Sequence, residues 1–375
     1  MRIGIDVRTM RDDYPGIGRY VYNLVRALQP QLAAGDTLVL IRDPQAPPSR
    51  YDLSTQEGIT WADLPLPPRA LSQQWKLPAL LRRLNLDVFH APYCVTANWG
   101  LPCPLVLTLH DLIPLIYPPS MPSPVERLGF RTAVSLAARA ARRIIVPSEA
   151  VRADLMRLLG STLGQTAVIP EAPAPVFTPA PDAQVRRTRE LYRVPARYFL
   201  HVGTNKPHKN IETLLGAYHR YYTAAPAERR LPLVLIGAED ERYGSPRRWA
   251  AQWGLARSVL ALGDVPDEDL RDLYTGATLV VFPSLHEGFG LPVLEAMACG
   301  APVLAARAPA IPEVAGDAAL FLDPRDEPAW AEALTRLPDD AEQLAALKQK
   351  SLARAAQFSW AETARATLEI YRGAK

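Results

Sequence analysis

Short apolar runs alternate with segments of helical periodicity along almost the whole chain, and this alternation restricts the fold more than any other feature. Runs such as Leu233–Ile236 and Leu279–Phe282 are apolar at every position, which is typical of parallel strands covered by helices on both faces. We predict strands at Arg2–Val7, Thr37–Arg42, Leu86–His90, Pro104–Leu109, Arg143–Val146, Ala167–Ile169, Tyr198–Val202, Leu233–Ile236, Val259–Leu262, Leu279–Phe282, Pro302–Ala305 and Ala319–Leu322. The pattern predicts an α/β fold built on doubly wound parallel sheets.

A proline-rich segment divides the chain into two blocks of similar design. The 375 residues exceed what one hydrophobic core usually serves, and the segment from Pro170 to Pro195 contains six prolines. Each block begins with a strand, a loop and an amphipathic helix. The apolar faces of these two helices are formed by Ile17, Val21, Leu24, Val25 and Leu28, and by Ile211, Leu214, Leu215 and Tyr218. We expect two Rossmann-like domains facing a central cleft, with the ligand beyond the carboxyl ends of the strands.

The composition argues against several classes of protein. A formal net charge of +3 is too small for a nucleic-acid sheath, so we expect no nucleic-acid partner. Cys94, Cys103 and Cys299 are too few and too widely spaced for a disulfide framework or a four-thiolate zinc site. The first strand follows the initial methionine without a signal-like stretch, and no run approaches about 18 apolar residues. We therefore expect a cytoplasmic protein that does not span a membrane.

Two glycines follow the first predicted strand, at the start of a helix. Gly16 and Gly18 lie in the segment Pro-Gly-Ile-Gly-Arg-Tyr, where glycine backbone and free helix N–H groups suit a phosphate. The dinucleotide pattern G-x-G-x-x-G is not met, because Val21 stands at the third glycine position. A simple glycine turn before a helix is the alternative interpretation.

Two histidines stand at the carboxyl ends of predicted strands. His110 follows the run Leu105–Leu109, and His90 ends the strand before it. Ligands of open parallel sheets bind at this edge, so we select His110 as a candidate catalytic residue. A purely structural role is the alternative for both histidines.

A basic loop follows the first strand of the second block. It contains Thr204, Lys206, His208 and Lys209 and leads into a predicted helix. Lysine supplies a point charge and a helix start supplies N–H donors, a combination that suits a diphosphate. The alternative is a solvated basic turn, although helix starts normally favour acidic residues.

Two glutamates flank a glycine loop after the run Leu279–Phe282. Glu287 is expected in the loop, and Glu295 about one turn into the following helix. Two carboxylates beside an N–H cradle match a sugar–diphosphate–ribose ligand, because carboxylates accept hydrogen bonds from hydroxyls and amides hold phosphates. The candidate cradle consists of Gly288, Phe289, Gly290 and Leu291.

The string from His286 to Val303 resembles the E-x7-E signature of glycosyltransferase family 4, whose members are retaining, nucleotide-sugar-dependent enzymes of the GT-B fold. The other motifs follow in the family's order, so the resemblance covers nearly the whole chain. It implies that Glu287 lies at the donor sugar, Glu295 at the ribose hydroxyls, Lys209 at the diphosphate and His110 at the far side of the sugar. Many members have arginine where this chain has Thr204, which leaves the phosphate charge to Lys209 and Lys206.

The resemblance also implies a role for each part of the chain. Residues 1–175 would form the acceptor-side domain and residues 176–357 the nucleotide-sugar domain. The segment Phe358-Ser359-Trp360 precedes a helical pattern, so residues 358–375 would form a helix that crosses back onto the first domain.

Our leading hypothesis is a hexosyltransferase that moves mannose or glucose to an acceptor hydroxyl, with GDP-mannose favoured as donor and UDP-glucose next. The acceptor would be a saccharide or a lipid-linked saccharide of polysaccharide or glycolipid biosynthesis. We expect no bound cofactor and no metal. The string Asp267-Glu268-Asp269 is similar to a D-x-D metal motif, but at a predicted helix start such residues commonly cap the helix.

Two other classes of function are also consistent with the sequence. One is another enzyme of the same architecture, a nucleotide-sugar epimerase or a sugar phosphorylase. The other is a non-catalytic sugar-nucleotide-binding protein, which would not need the complete set of His110, Lys209, Glu287 and Glu295.

A basic segment raises the question of membrane contact. Arginines at positions 127, 131, 139, 142 and 143 are interspersed with apolar residues such as Leu128, Phe130 and Leu136. One interpretation is a basic amphipathic helix that rests on anionic lipid at the inner membrane face. The other, which we favour from the sequence, is a solvated helix packed on its own sheet.

Overall fold

A computed structural model describes residues 1–54, 56, 58–160 and 165–375 of the chain. These residues form two compact units, the first made of Met1–Glu171 with Ser359–Lys375 and the second of Ala172–Phe358. No helix within the described residues is long and apolar enough to cross a membrane.

The first unit is built on a parallel sheet of seven strands in the order β3-β2-β1-β4-β5-β6-β7. Its strands are β1 (Arg2–Asp6), β2 (Thr37–Arg42), β3 (Ile59–Asp63), β4 (Val88–Ala91), β5 (Leu105–Thr108), β6 (Ala141–Val146) and β7 (Thr166–Val168). The helices between them are α1 (Pro15–Leu28), α2 (Gln73–Leu84), α3 (Ile113–Ile116), α4 (Pro124–Ala140) and α5 (Glu149–Leu159). Strands β4 and β5 are buried at every position, as their apolar sequences predict.

The second unit contains a parallel sheet of six strands in the order β10-β9-β8-β11-β12-β13. Its strands are β8 (Phe199–Val202), β9 (Leu233–Ile236), β10 (Val259–Gly263), β11 (Leu279–Phe282), β12 (Val303–Ala306) and β13 (Ala319–Leu322). Its helices are α6 (Asp182–Leu191), α7 (Ile211–Ala224), α8 (Pro246–Gln252), α9 (Asp267–Gly276), α10 (Leu291–Ala298), α11 (Ile311–Ala315), α12 (Glu327–Arg336) and α13 (Ala341–Ala355). The two parallel sheets confirm the predicted doubly wound α/β fold.

The last helix, α14 (Trp360–Ala374), belongs to the first unit although the chain reaches it from the second. Ser359 caps it, because its Oγ accepts a 3.2 Å hydrogen bond from the backbone N–H of Glu362. Trp360 and Tyr371 lie on its buried face, and the helix packs against α1. The first unit therefore completes its core with residues from the far end of the chain.

Two sequence-based expectations need correction. Strand β3 was not predicted, because its sequence Ile-Thr-Trp-Ala-Asp is only partly apolar and it lies at the sheet edge, paired with β2 alone. Arg142 and Arg143 do not belong to an amphipathic helix with Arg127, Arg131 and Arg139. Helix α4 ends at Ala140, and the two later arginines lie on strand β6.

Candidate functional site

The loop from β11 to α10 carries the two glutamates of the E-x7-E string. Gly290 is the N-cap of α10 and has a φ of +102°, a left-handed conformation that favours glycine. The chain can therefore turn sharply from the strand into the helix. As predicted, Glu287 lies in the loop and Glu295 on the helix, and both side chains are buried.

The intervening residues of this loop are also buried. Gly288 and Gly290 are enclosed, and the ring of Phe289 packs edge-to-face on Phe358 at a centroid distance of 6.0 Å. Leu291 begins α10 and is half-buried. At the start of α10, Pro292 has no N–H and the N–H of Val293 donates to the carbonyl of Gly290 at 3.0 Å, so Leu291 carries the candidate backbone donor of this helix start.

The basic loop after β8 is tied to the β11–α10 loop. A short 3₁₀ turn, Pro207–Lys209, ends at Asn210, which has a left-handed φ of +59°. The side-chain amide of Asn210 donates hydrogen bonds to the carbonyl oxygens of Pro283 (3.0 Å) and Pro324 (2.7 Å). The backbone N–H of Leu285 donates to the carbonyl of His208 at 2.7 Å. These bonds fix the two loops against each other.

The side chains of Lys209 and Glu287 meet directly. Lys209 Nζ lies 2.8 Å from Glu287 Oε1, and the two side chains are only 13% and 9% exposed. The same ammonium lies 5.3 Å from the ring centroid of Phe282, at the end of β11. Strands β8 and β11 are neighbours at the point where the strand order reverses, which is where ligands of such sheets bind.

The charge state of Glu287 follows from two opposing effects. Burial disfavours the carboxylate and raises its pKa. The positive charge of Lys209 and its hydrogen bond act in the opposite direction, and the resulting pKa of Glu287 lies below the usual 4.5. Burial lowers the pKa of the neighbouring His208 to about 3, so this imidazole is neutral near pH 7. Glu287 is therefore a carboxylate at neutral pH.

A third group, His201 on β8, lies close to this pair and was not predicted. Its Nδ1 donates a 3.0 Å hydrogen bond to the carbonyl of Val281, and burial lowers its pKa to about 4. Its Nε2 has no hydrogen-bond partner among the described residues. Its sequence signal is weak, since a histidine within a strand is usually structural.

Other residues of the basic loop differ in their exposure. Lys206 is exposed and Thr204 is half-buried. Asn205 holds the loop in place, because its side chain accepts a 2.6 Å hydrogen bond from Asp240 N–H and donates one to the carbonyl of Asp240 at 2.9 Å. Lys209 is thus the lysine that contacts Glu287.

In the first unit, His110 follows β5 and is held on both sides of its ring. Its Nδ1 lies 2.9 Å from Oε1 of Glu171, and its Nε2 lies 3.1 Å from the carbonyl oxygen of Pro92. The ring of Tyr20 packs edge-on against it at 4.7 Å. Glu171 was not predicted, because 61 residues separate it from His110 and it stands within the proline-rich segment.

A buried series of hydrogen bonds joins α14, β4, β5 and α1. Tyr371 OH lies 2.6 Å from His90 Nδ1, and His90 Nε2 lies 2.7 Å from Thr108 Oγ1, which in turn lies 3.2 Å from Tyr20 OH. Burial, with a smaller contribution from the charge of His110, lowers the pKa of His90 to about 3. His90 therefore has a structural role and links α14 to the strands.

Gly16 and Gly18 occupy the first turn of α1. The space available for a side chain differs between the two positions. An added Cβ on Gly18 would lie 2.9 Å from the backbone oxygen of Arg11, so packing alone requires glycine there. An added Cβ on Gly16 would meet nothing within 4 Å. The N–H of Gly18 donates to the carbonyl of Tyr14 at 2.6 Å. Packing therefore explains the glycine at position 18 but not the one at position 16.

The acidic string Asp267-Glu268-Asp269 forms the first turn of α9. Oδ2 of Asp269 accepts a 2.7 Å hydrogen bond from the hydroxyl of Tyr192. Among the described residues, no group of three or more His, Cys, Asp and Glu side chains is arranged to hold a metal ion.

Comparison with known proteins identifies the family. A model described as glycosyl transferases group 1 matches residues 186–354, which include the E-x7-E string, and a model described as glycosyltransferase family 4 matches residues 14–172. The O-antigen chain mannosyltransferase B of Escherichia coli is 34% identical over 303 residues, which cover 78% of this chain and 76% of that protein.

The chain belongs to the group 1 glycosyltransferases.

Two further comparisons place this glycosyltransferase among its relatives. The serotype-specific mannosyltransferase WbdA of Escherichia coli is 38% identical over 190 residues, which are 50% of this chain but 23% of that longer protein. The crystal structure of Anabaena Alr3699/HepE in complex with UDP and glucose matches all of both chains with a TM-score of 0.78 at 20% identity. The structural likeness confirms that the glycosyltransferase has the GT-B fold.

Proposed function

We propose that this glycosyltransferase moves a hexose, in the first place mannose, from a nucleoside diphosphate sugar to an acceptor hydroxyl and retains the anomeric configuration. The observation that carries the proposal is the buried Lys209–Glu287 pair at the reversal point of the second sheet, beside the start of α10. A buried cation next to a buried carboxylate suits a ligand that is anionic at one end and rich in hydroxyls at the other.

In the proposed reaction, charge builds up on the leaving diphosphate as the bond to the anomeric carbon breaks. An ammonium has three N–H donors, so Lys209 can bind Glu287 and a phosphate oxygen together. The amides at Gly288–Leu291, and that of Gly16 in the first turn of α1, would supply further donors for this charge, whereas the N–H of Gly18 is bound to the carbonyl of Tyr14. Lys206 and Thr204 would bind farther along the donor, and Glu295 would accept hydrogen bonds from the ribose.

Glu287 would act on the sugar side of the same bond. As a carboxylate it accepts hydrogen bonds from sugar hydroxyls and stabilises the positive charge that develops on the ring. His110 would contact the sugar from the first unit, as the family resemblance implies. Retention follows if the acceptor attacks from the face that the diphosphate leaves. A bond forms from the acceptor oxygen to the anomeric carbon, and the acceptor's proton passes to a diphosphate oxygen.

The proposed donor is GDP-mannose, with UDP-glucose as the second choice. Two relatives are named as mannosyltransferases, one of them of the O-antigen chain, and a structural neighbour was crystallised with UDP and glucose. These names favour a saccharide acceptor, free or linked to a lipid, in the synthesis of a surface polysaccharide. Because Lys209 supplies positive charge at the diphosphate, we propose that transfer needs no metal ion and no bound cofactor.

Binding and product analysis test this proposal. The purified protein is mixed with GDP-mannose, UDP-glucose, GDP or UDP, and the melting temperature is measured. We expect the largest increase with GDP-mannose and mannose transfer that continues in EDTA, with the product's anomeric configuration, read by NMR, equal to that of the donor. Stabilisation by no sugar nucleotide, or loss of activity in EDTA with recovery in Mn²⁺, would contradict the proposal.

We also propose that the first unit rests on the inner membrane face. The described large apolar side chains that are exposed in this unit lie on or beside α2, α4 and α5 and are Leu71, Trp75, Trp99, Val125, Leu128, Leu136 and Met156. These helices pack on the same face of the sheet, since all three contribute to one hydrophobic core. Exposed basic residues on the same helices are Lys76, Arg82, Arg83, Arg131, Arg139 and Arg157. Tryptophan and arginine together favour an anionic bilayer surface.

Vesicle flotation tests the membrane proposal. We expect the protein to float with vesicles containing phosphatidylglycerol and to remain unbound with neutral phosphatidylcholine vesicles. The double substitution Trp75→Ser and Leu128→Ser should abolish flotation. The control Leu191→Ser removes an equally exposed apolar side chain from the second unit and should leave flotation unchanged. Equal flotation with both lipids and all variants would contradict a contact through this face.

A further inference from the structure

Glu171 is the last residue of the first unit and the closest acidic neighbour of His110 that the structure records. Its side chain is 5% exposed, and its Oε1 lies 2.9 Å from His110 Nδ1. The backbone places it there, because strand β7 and Pro170 bring the chain to the carboxyl edge of the sheet where His110 also lies.

The hydrogen bonds around His110 require one more proton than a neutral ring and a carboxylate contain. The carbonyl of Pro92, at 3.1 Å from Nε2, can only accept, and an ionised Glu171 can only accept. A neutral imidazole has a single N–H and serves one of them. Both contacts are satisfied when the imidazole and the carboxyl group share an additional proton, most simply as an imidazolium beside a carboxylate.

We propose that Glu171 is a positioning residue for the glycosyl transfer, which orients His110 and keeps both of its ring nitrogens protonated. This inference rests on the proposed function, in which His110 contacts the donor. A doubly protonated ring donates both of its N–H groups, to Glu171 and to the carbonyl of Pro92, and carries a positive charge that attracts a hydroxyl or phosphate oxygen of the donor. Without the carboxylate the ring would be neutral, and this attraction would be lost.

The other groups that face the ring leave this role to Glu171. From α1, Tyr20 presents its ring edge, and burial raises the pKa of its hydroxyl, so the phenol is neutral. From β4, His90 is neutral because burial lowers its pKa to about 3. Asp111 is the next residue in the chain, and its Oδ1 accepts a 2.9 Å hydrogen bond from the backbone N–H of Ile113. The carboxylate that contacts the ring is that of Glu171.

Nuclear magnetic resonance of the ligand-free protein tests the protonation state directly. The chain has six histidines, so ring ¹⁵N spectra are simple, and the substitution His110→Gln assigns the signal. We expect both nitrogens of His110 to carry protons at pH 7 in the wild type. In Glu171→Gln the amide can donate to Nδ1, so we expect a neutral ring protonated at Nε2 alone.

Kinetics then test whether this arrangement serves the reaction. We expect Glu171→Gln to lower kcat about tenfold or more with the KM for the donor within about twofold, because the ring stays in place but loses its proton. The alkaline limb of the pH–rate profile should move to lower pH. Combined with His110→Gln, the substitution should cause no further loss, since Glu171 acts through His110. The control Glu149→Gln removes an exposed carboxylate of α5 and should leave kcat and the profile unchanged.

The two proposals fail in different ways. A neutral His110 ring in an active wild-type enzyme, or a Glu171→Gln variant with unchanged kcat and pH profile, would overturn the role of Glu171 alone. A doubly protonated ring in a protein that transfers sugar from no nucleotide sugar would overturn the proposed function and, with it, the role of Glu171 in transfer.

Discussion

Lys209 Nζ lies 2.8 Å from Glu287 Oε1, although 78 residues separate the two in the sequence. The contact exists because their loops follow β8 and β11, which are adjacent in the sheet. Each buried charge offsets the energetic cost of burying the other, so removing one side chain leaves the other destabilised. This interdependence leads to the first two predictions.

Replacing Lys209 alone should destabilise the second unit. Lys209→Met leaves the buried carboxylate of Glu287 without its partner, and we expect a loss of about 3–5 kcal/mol in the free energy of unfolding, measured with urea. Adding Glu287→Gln should recover part of this loss, because the unpaired charge is gone. In the control, Lys350→Met removes an ammonium paired with the exposed Asp317, and it should change stability little. Equal effects of Lys209→Met and Lys350→Met would contradict this account.

The same pair should control turnover. We expect Glu287→Gln and Lys209→Ala each to lower kcat on the order of 10²-fold or more, because each removes a contact that strengthens as charge develops. The measurement is mannose transfer at saturating donor, with circular dichroism as the control for folding. Near-normal turnover in both folded variants would rule out the assigned roles.

Acid should destabilise the second unit before its carboxylates are protonated. The pKa values of buried His201 and His208 are lowered to about 4 and about 3 from the usual 6.5, so the unfolded chain binds protons that the folded chain does not. Below pH 6.5 the free energy of unfolding should therefore fall by about 1.4 kcal/mol per pH unit for each histidine. Below the usual pKa of 4.5, Glu287 should add to the loss, since its folded pKa is lowered.

Urea unfolding at pH 7, 6 and 5 measures this slope. The double substitution His201→Gln and His208→Gln should flatten it, whereas His219→Gln, at an exposed position on α7, should not. An identical slope in the double variant and the wild type would show that other groups take up the protons.

Gly290 should tolerate alanine poorly. At a φ of +102° the left-handed backbone costs a residue with a Cβ about 1–2 kcal/mol, and the added carbon would lie 2.5 Å from Ile311 Cδ1. We expect Gly290→Ala to lower the melting temperature more than Gly35→Ala, which has a similar φ of +87° but open space around it. Equal melting temperatures of the two variants would show that the contact with Ile311 relaxes without cost.

Tyr371 should support the first unit through His90. Tyr371→Phe removes the partner of the buried His90 Nδ1, and we expect a loss of about 1–3 kcal/mol in the free energy of unfolding. Tyr22→Phe, which removes an exposed hydroxyl that accepts from Arg26, is the matched control. A loss no larger than that of the control would indicate that His90 finds another partner.

Most strands of the fold could be predicted from the local pattern of apolar residues. Runs such as Leu279–Phe282 are apolar on both faces, and their length and flanking turns predict buried parallel strands. Strand β3 lacked this signal because an edge strand is half exposed. The string around Glu287 and Glu295 was recognisable for a similar reason, since a loop and its helix lie within one short segment.

The partners of the site residues were harder to predict. Glu171 and His201 have no local feature that distinguishes them from structural residues. Each gains its significance from a contact made when distant strands come together, as with His110 and Glu171, which are 61 residues apart. A single sequence contains no direct record of such pairings.

The position of α14 has a consequence for synthesis on the ribosome. The second unit is one uninterrupted stretch, Ala172–Phe358, whereas the first unit is made of two segments separated by that whole stretch. The first unit, although translated first, waits for Trp360 and Tyr371 to emerge before its core closes. The core of the first unit therefore cannot be complete until α14 has been synthesised.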